Sequence, residues 1–333
     1  MLPGRMPIGV VIFFHGAKQH GQSREIIPFA ASIVKSTTVA WYALDQQGHG
    51  RSGQLGDPSH ALPAGVARSG QTMLQDAKDF VGIVLNDGLL PPGLPFVVAG
   101  HSMGGPADAS RTHRSARPTV DTPAPCITAH RAHGSSCGGS AVCVNIAGYL
   151  QDTFGTRFRG IAVTEPACLY EPVAQIHAHK RGIVSLFEKV GRAFPRWVPF
   201  AAAPLRDSVR RDSAFDVVSG DALRFQSQKK DGLPMATLAA ATRIGAAEGT
   251  RYLSTIRTPL LVSHGTHEDP RNAMLLVHLT ATPEAHKQLH MYTGATHNLY
   301  ADLQRTTELQ RAWGDFITNC MLGRFPVEPS ADS

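Results

Sequence analysis

The sequence predicts an α/β protein: a mainly parallel, doubly wound sheet with a helical cap inserted between two of its strands. Three observations carry that expectation. Short apolar runs without polar alternation recur along the chain, separated by stretches whose apolar residues fall at helical spacing. One long interval, residues 165–252, has helical patches and prolines (Pro195, Pro199, Pro204, Pro234) but no run of the strand type. The residues best suited to chemistry stand just beyond the carboxyl ends of the runs, where such sheets bind their ligands.

The elements follow in order. Residues 8–14 are continuously apolar, as expected of a parallel strand buried on both faces. Helical spacing runs from Ser23 to Lys35, and a second strand over 38–44 ends at Asp45. From Gln71 to Asn86 the stripe Met73, Leu74, Ala77, Phe80, Val81, Val84 and Leu85 predicts a helix, closed by Asp87-Gly88. Strands are predicted over 96–99, 160–164, 259–263 and 288–292, with helices near 273–279 and 303–321. The last helix carries Leu309, Trp313, Phe316, Ile317 and Cys320 on one face. Residues 1–164 and 253–333 are thus read as the core, and 165–252 as the cap.

Residues 106–139 break this rhythm. The stretch is rich in Pro, Ser, Thr, Arg and His, with almost no aliphatic periodicity, and Pro106 blocks helical continuation from Gly105. Joining Gly105 to Ser140 would give a good helix start, and a Gly-Gly pair stands at each joint (Gly104-Gly105, Gly138-Gly139). The segment is read as a disordered or non-native insertion, with a functional surface excursion as the alternative.

Composition narrows the class. With 42% hydrophobic and 17% charged residues the chain is globular, not disordered. Five cysteines without metal-ligand spacing suggest free thiols in a reducing compartment. The apolar run at 8–14 is too short for a signal peptide or a membrane span, so a cytoplasmic or peripherally membrane-bound protein is expected. Between His177 and Lys230 eleven Lys/Arg face five Asp/Glu. That excess fits either a surface meeting anionic lipid headgroups or a solvated helical face. No nucleic-acid partner is expected, because the basic residues lack interleaved aromatics or a recognition motif.

The chemistry centres on Gly100-His101-Ser102-Met103-Gly104-Gly105, directly after the strand 96–99. A buried strand that stops at Gly-x-Ser-x-Gly describes a nucleophile elbow, a turn tight enough to need glycines and to push the serine Oγ out above the sheet edge. Ser102 is therefore the candidate nucleophile. His297, in the loop after the last strand, is the candidate base. The acid must fall between them, in His264-Gly265-Thr266-His267-Glu268-Asp269-Pro270. Adjacent side chains on an extended loop diverge, so only one carboxylate can face the imidazole; Glu268 is favoured and Asp269 is the alternative. The amides of Met103 and of Ala17, in the loop after the first strand, are candidate oxyanion donors, with His15 and Gly16 beside the substrate. The cluster His264, His267, Glu268, Asp269 could instead ligate a metal, but no third ligand set at helical spacing supports it. Neither metal nor cofactor is expected.

Four blocks, His15-Gly16-Ala17, Asp45 to Ser52 (with Gly48-His49-Gly50-Arg51-Ser52), the elbow, and Gly294-Ala295-Thr296-His297, resemble the monoacylglycerol lipase and lysophospholipase-like branch of the α/β-hydrolases, the serine aminopeptidase S33 type. The likeness spans residues 8–105 and 140–321. It implies an α/β-hydrolase fold and a carboxylic ester hydrolase acting on lipid esters, monoacylglycerols or lysophospholipids, without a cofactor. It also implies a strand pair ahead of the first strand, which the seven residues before Ile8 leave no room for. The branch's acid is ordinarily an aspartate three residues after the loop glycine; Glu268 holds that spacing. Asp269-Pro270 looks like a pair that normally lies further on.

The expected reaction is attack by Ser102 on an ester carbonyl, with an acyl-enzyme released by water. Leu186, Phe187, Phe194, Trp197, Val198 and Phe200 would line an acyl channel in the cap, which could also make peripheral membrane contact. An acyltransferase would show the same residues. A non-catalytic or defective protein of the same fold is the alternative from another class, motivated by the 106–139 segment and the short N-terminus. Relatives with a carboxylate nucleophile are disfavoured, because Ser102 occupies that place.

Overall fold

The structure is a computed structural model that describes residues 5–16, 19–52, 66–102, 139–166, 186, 189–197, 253–267, 270–295, 297–302 and 304–325. Six strands form one sheet: β1 (Val10–Phe14), β2 (Ala40–Leu44), β3 (Phe96–His101), β4 (Phe158–Thr164), β5 (Leu260–Gly265) and β6 (Lys287–Tyr292). Their order is β2-β1-β3-β4-β5-β6 and every neighbouring pair is parallel. Among the described residues five α-helices cover it: α1 (Ile26–Thr37), α2 (Gly70–Leu85), α3 (Gly139–Phe154), α4 (Arg271–Leu279) and α5 (Thr306–Met321).

The unbroken apolar runs have a simple cause. Successive side chains of a strand point to opposite faces, and here both faces are covered. Val10, Ile12, Phe14, Val98, Ile161 and Val262 pack against α2, α3 and α4 through residues such as Val81, Ile146 and Leu276. Val11, Phe13, Val97, Ala162 and Leu261 pack against α1 and α5 through Phe29, Ile33, Trp313 and Phe316. The doubly wound parallel sheet expected from the sequence is thus the observed one.

Element ends shift by a few residues. α1 begins at Ile26 rather than Ser23, because residues 20–23 form a turn in which the Ser23 N–H donates to the His20 carbonyl (3.0 Å). α2 begins at Gly70 behind a capping box, with Ser69 Oγ accepting from the Thr72 N–H (3.1 Å). β4 and β5 each extend beyond the predicted runs, to Phe158 and Gly265.

The helix expected from Ser140 onward is α3, and Gly139, assigned from sequence to the end of the preceding excursion, is its first residue. The correction has a steric reason. A Cβ on Gly139 would run into the Phe14 carbonyl, and one on Gly100 would meet the Gly139 backbone. The helix start is pressed against the ends of β1 and β3, and only hydrogen fits there. Gly139→Ala is expected to destabilise the fold by about 1–3 kcal/mol, read as a lower urea midpoint at unchanged m-value. The rest of the 106–139 segment, and the cap apart from residues 165–166, 186 and 189–197, lie outside the described residues.

Candidate active site

β3 delivers Ser102 to the carboxyl edge of the sheet. Its φ of 45° is a left-handed conformation that a residue with a Cβ adopts only at a cost of about 1–2 kcal/mol. The surroundings hold it there. The Ser102 N–H donates to the Thr164 carbonyl (2.8 Å), and Ser140 Oγ, from the first turn of α3, donates to the same carbonyl (2.9 Å). Ser102 Oγ is hydrogen-bonded to His297 Nε2, across 195 residues of chain. An imidazole in that contact can take the hydroxyl proton as oxygen attacks an electrophile.

His297 is carried by the loop after β6, and that loop is tied to the one after β5. The Thr266 N–H donates to the Tyr292 carbonyl (3.0 Å) and the His267 N–H to the Ala295 carbonyl (3.1 Å). The Gly294 N–H donates to Thr266 Oγ1 (2.8 Å). Behind them the Thr164 hydroxyl bridges His101 Nδ1 (2.8 Å) and the Tyr300 hydroxyl (2.9 Å). Burial raises the Tyr300 pKa, so this phenol stays neutral. Next to Thr164, Glu165 is buried at a φ of 49°. Its Oε1 accepts the Gly265 N–H (2.5 Å) and its Oε2 lies 2.6 Å from His264 Nδ1.

On the other side stands the loop after β1. His15 is buried; its Nε2 accepts the Gln46 N–H (2.9 Å), so the ring proton sits on Nδ1, which donates to the Gly16 carbonyl (2.7 Å). The Gly16 N–H donates to Gln19 Oε1 (2.8 Å), and Gln19 Nε2 to the buried Glu25 (2.9 Å). Burial, then the neighbouring His49, holds the His15 pKa well below its usual 6.5. His49, 5.2 Å away ring to ring, is lowered chiefly by burial too.

Acid is therefore expected to destabilise the fold. The unfolded chain takes a proton on each imidazole below about 6.5, whereas the folded chain takes them up only at lower pH. This contribution is full above that pH and is expected to be lost as pH drops toward the lowered folded values, by at most about 1.4 kcal/mol per pH unit for each histidine. Urea unfolding between pH 7 and 5 checks this, and His49→Gln is expected to remove one proton's share of the slope.

Of the residues singled out from sequence, Ser102 and His297 are brought together, and His15 and Gly16 lie at the end of β1. Ala17, Met103, Glu268 and Asp269 lie outside the described residues. Among the described residues no three His, Cys, Asp or Glu side chains group as a metal site, and no helix is long and apolar enough to cross a membrane. Sequence reasoning missed Thr164, Glu165 and Tyr300. Their one signal was that Thr164 and Glu165 are polar residues at the carboxyl end of a core strand.

Residues 5–122 match the family described as serine aminopeptidase, S33. A monoacylglycerol lipase of Mycolicibacterium smegmatis is 37% identical over 103 residues, 31% of this chain and 32% of that protein. The match thus spans about a third of the relative's length. Among solved structures, a soluble variant of Saccharomyces cerevisiae monoglyceride lipase with a substrate analog superposes with a TM-score of 0.63 at 14% identity, covering 95% of this chain and 88% of that one. The Paleococcus ferrophilus monoacylglycerol lipase gives 0.57 at 16% identity, with 94% and 96% covered. A thermostable carboxyl esterase of Bacillus coagulans gives 0.60 at 16% identity, with 96% and 92% covered.

Proposed function

We propose, for a chain with the α/β-hydrolase fold whose first third carries the serine aminopeptidase S33 match, that it is a serine hydrolase of lipid carboxylic esters, with monoacylglycerols and lysophospholipids as substrate class. The observation that carries this reading is the hydrogen bond between Ser102 Oγ, held at a left-handed φ on the strand edge, and His297 Nε2. The partial match to a mycobacterial monoacylglycerol lipase supports the substrate class.

In this mechanism Ser102 attacks the ester carbonyl while His297 takes its proton and returns it to the departing alcohol. Water then releases the acyl group by the same route. A carboxylate of the 268–269 pair, Glu268 by preference, holds the imidazole in the tautomer that accepts at Nε2 and stabilises its cationic form. The amides of Met103 and Ala17 are the proposed oxyanion donors. The Gly16 N–H is already taken by Gln19. His15, with both ring nitrogens engaged in the protein, serves by holding this loop. Leu186, Phe194 and Trp197 are exposed apolar residues of the cap segment, suited to an acyl chain, and the basic stretch 177–230 suits an anionic headgroup surface.

The test is covalent. A fluorophosphonate probe is expected to label the protein at Ser102, and monoacylglycerols and p-nitrophenyl esters to be hydrolysed. A cooperatively melting protein that takes no label and turns over neither ester overturns the reading.

A further inference from the structure

We propose that Glu165 is a positioning residue of this site, a buried carboxylate that locks the tip of β4 to the tip of β5 and thereby fixes the paired loops from which His297 reaches Ser102. The proposal rests on the hydrolase reading above.

The β4–β5 ladder ends at the pair Thr164 and Ser263. Beyond it the Glu165 N–H still donates to the Ser263 carbonyl (2.8 Å), but the chain then turns away through a left-handed residue. From there the side chain continues what the backbone abandons. Oε1 holds the Gly265 amide and Oε2 lies 2.6 Å from His264 Nδ1, so one carboxylate reaches the last two residues of β5. Glu165 is 1% exposed. A carboxylate with so little hydration is costly unless its oxygens are bonded, so its presence demands partners in fixed places.

What the clamp fixes is the root of the site. Thr266 and His267, directly after Gly265, bond to Tyr292 and Ala295, and His297 follows two residues later. On the other side of the same dipeptide, the Thr164 carbonyl holds the Ser102 amide. Thr164-Glu165 is therefore a junction between the turn at Ser102 and the paired loops behind His297. A shift at Gly265 is passed along those bonds to the imidazole. Geometry at the reacting atoms is steeply weighted in rate, about 100-fold for a displacement near 1 Å. A packing role alone would not require a charged group here; an apolar side chain would fill the space at lower cost.

The experiment measures p-nitrophenyl ester hydrolysis by the full chain, with kcat normalised to sites titrated by the fluorophosphonate probe. Glu165→Ala is expected to lower kcat per titrated site about 100-fold with KM within about twofold. Glu165→Gln, which keeps an acceptor for the Gly265 N–H, is expected to recover most of that loss. Unchanged kcat per titrated site in Glu165→Ala overturns the proposal, since a purely structural role would lower only the number of competent molecules. Should Glu165→Ala fail to melt cooperatively, Glu165→Asp decides. One methylene shorter, it cannot serve both partners and is expected to show the same loss; unchanged kcat overturns the proposal. An unsubstituted protein that neither labels nor turns over overturns the hydrolase reading instead, and the positioning role with it.

Discussion

Alanine at Ser102 is expected to abolish fluorophosphonate labelling and to lower ester turnover on the order of 10⁶-fold, while the protein still melts cooperatively. A loss of that size is about 8 kcal/mol of transition-state stabilisation at about 1.4 kcal/mol per decade. It is large because, in the proposed mechanism, the hydroxyl is the group that bonds to substrate. Stability should change little. Alanine carries the same Cβ into the left-handed conformation at 102, and the hydroxyl's one lost partner, His297, is only partly buried and can turn to water. His297→Ala should cost a similar factor, because an unassisted serine hydroxyl is a poor nucleophile. The double variant should be no worse than either single one, since the two residues act as a unit. Losses that simply multiply would mean that hydroxyl and imidazole work separately, and residual labelling of Ser102→Ala would mean that the nucleophile lies elsewhere.

The parts of this site that could be read from sequence are those fixed by local chemistry and chain order. The strand before Ser102 shows itself because Phe96, Val97, Val98 and Ala99 are all buried, two on each face, which removes any polar alternation. His297 could be found because it follows the last strand, at the same sheet edge as the elbow. Glu165 could not. Its partners His264 and Gly265 lie about a hundred residues on, and their proximity depends on β4 and β5 being neighbours in the sheet. In sequence it is a polar residue closing a strand, a position any solvated glutamate could occupy. Tyr300 likewise reads as one more apolar ring; only the folded chain sets its hydroxyl against Thr164. The α1 boundary was missed for a smaller reason: the helical spacing begins at Ser23, but the backbone there closes a turn before the helix starts.

Between the two adjacent carboxylates, Glu268→Ala is expected to lower kcat about 10⁴-fold and Asp269→Ala less than about tenfold. The flanking backbone supplies the argument. His267, the residue before Glu268, is bonded through its amide to Ala295, two residues short of His297. Glu268 is the carboxylate that directly follows this tie in sequence. Asp269 has a different use available: it precedes Pro270, the N-cap of α4, where the helix's exposed amides favour negative charge. Its loss should then appear in stability more than in rate. The 10⁴ figure follows from the role proposed for the acid, since without it the imidazole would lose both its tautomer and support for its positive charge. Glu268→Gln should be nearly as damaging as alanine, because an amide can keep the hydrogen bond but cannot offset an imidazolium. Comparing kcat for the three variants decides the matter: a 10⁴-fold loss in Asp269→Ala with Glu268→Ala nearly intact transfers the role one residue on. If both variants keep full turnover, the acid is not in this loop, and the carboxylate already bonded to the tip of β5, that of Glu165, becomes the first group to test in its place.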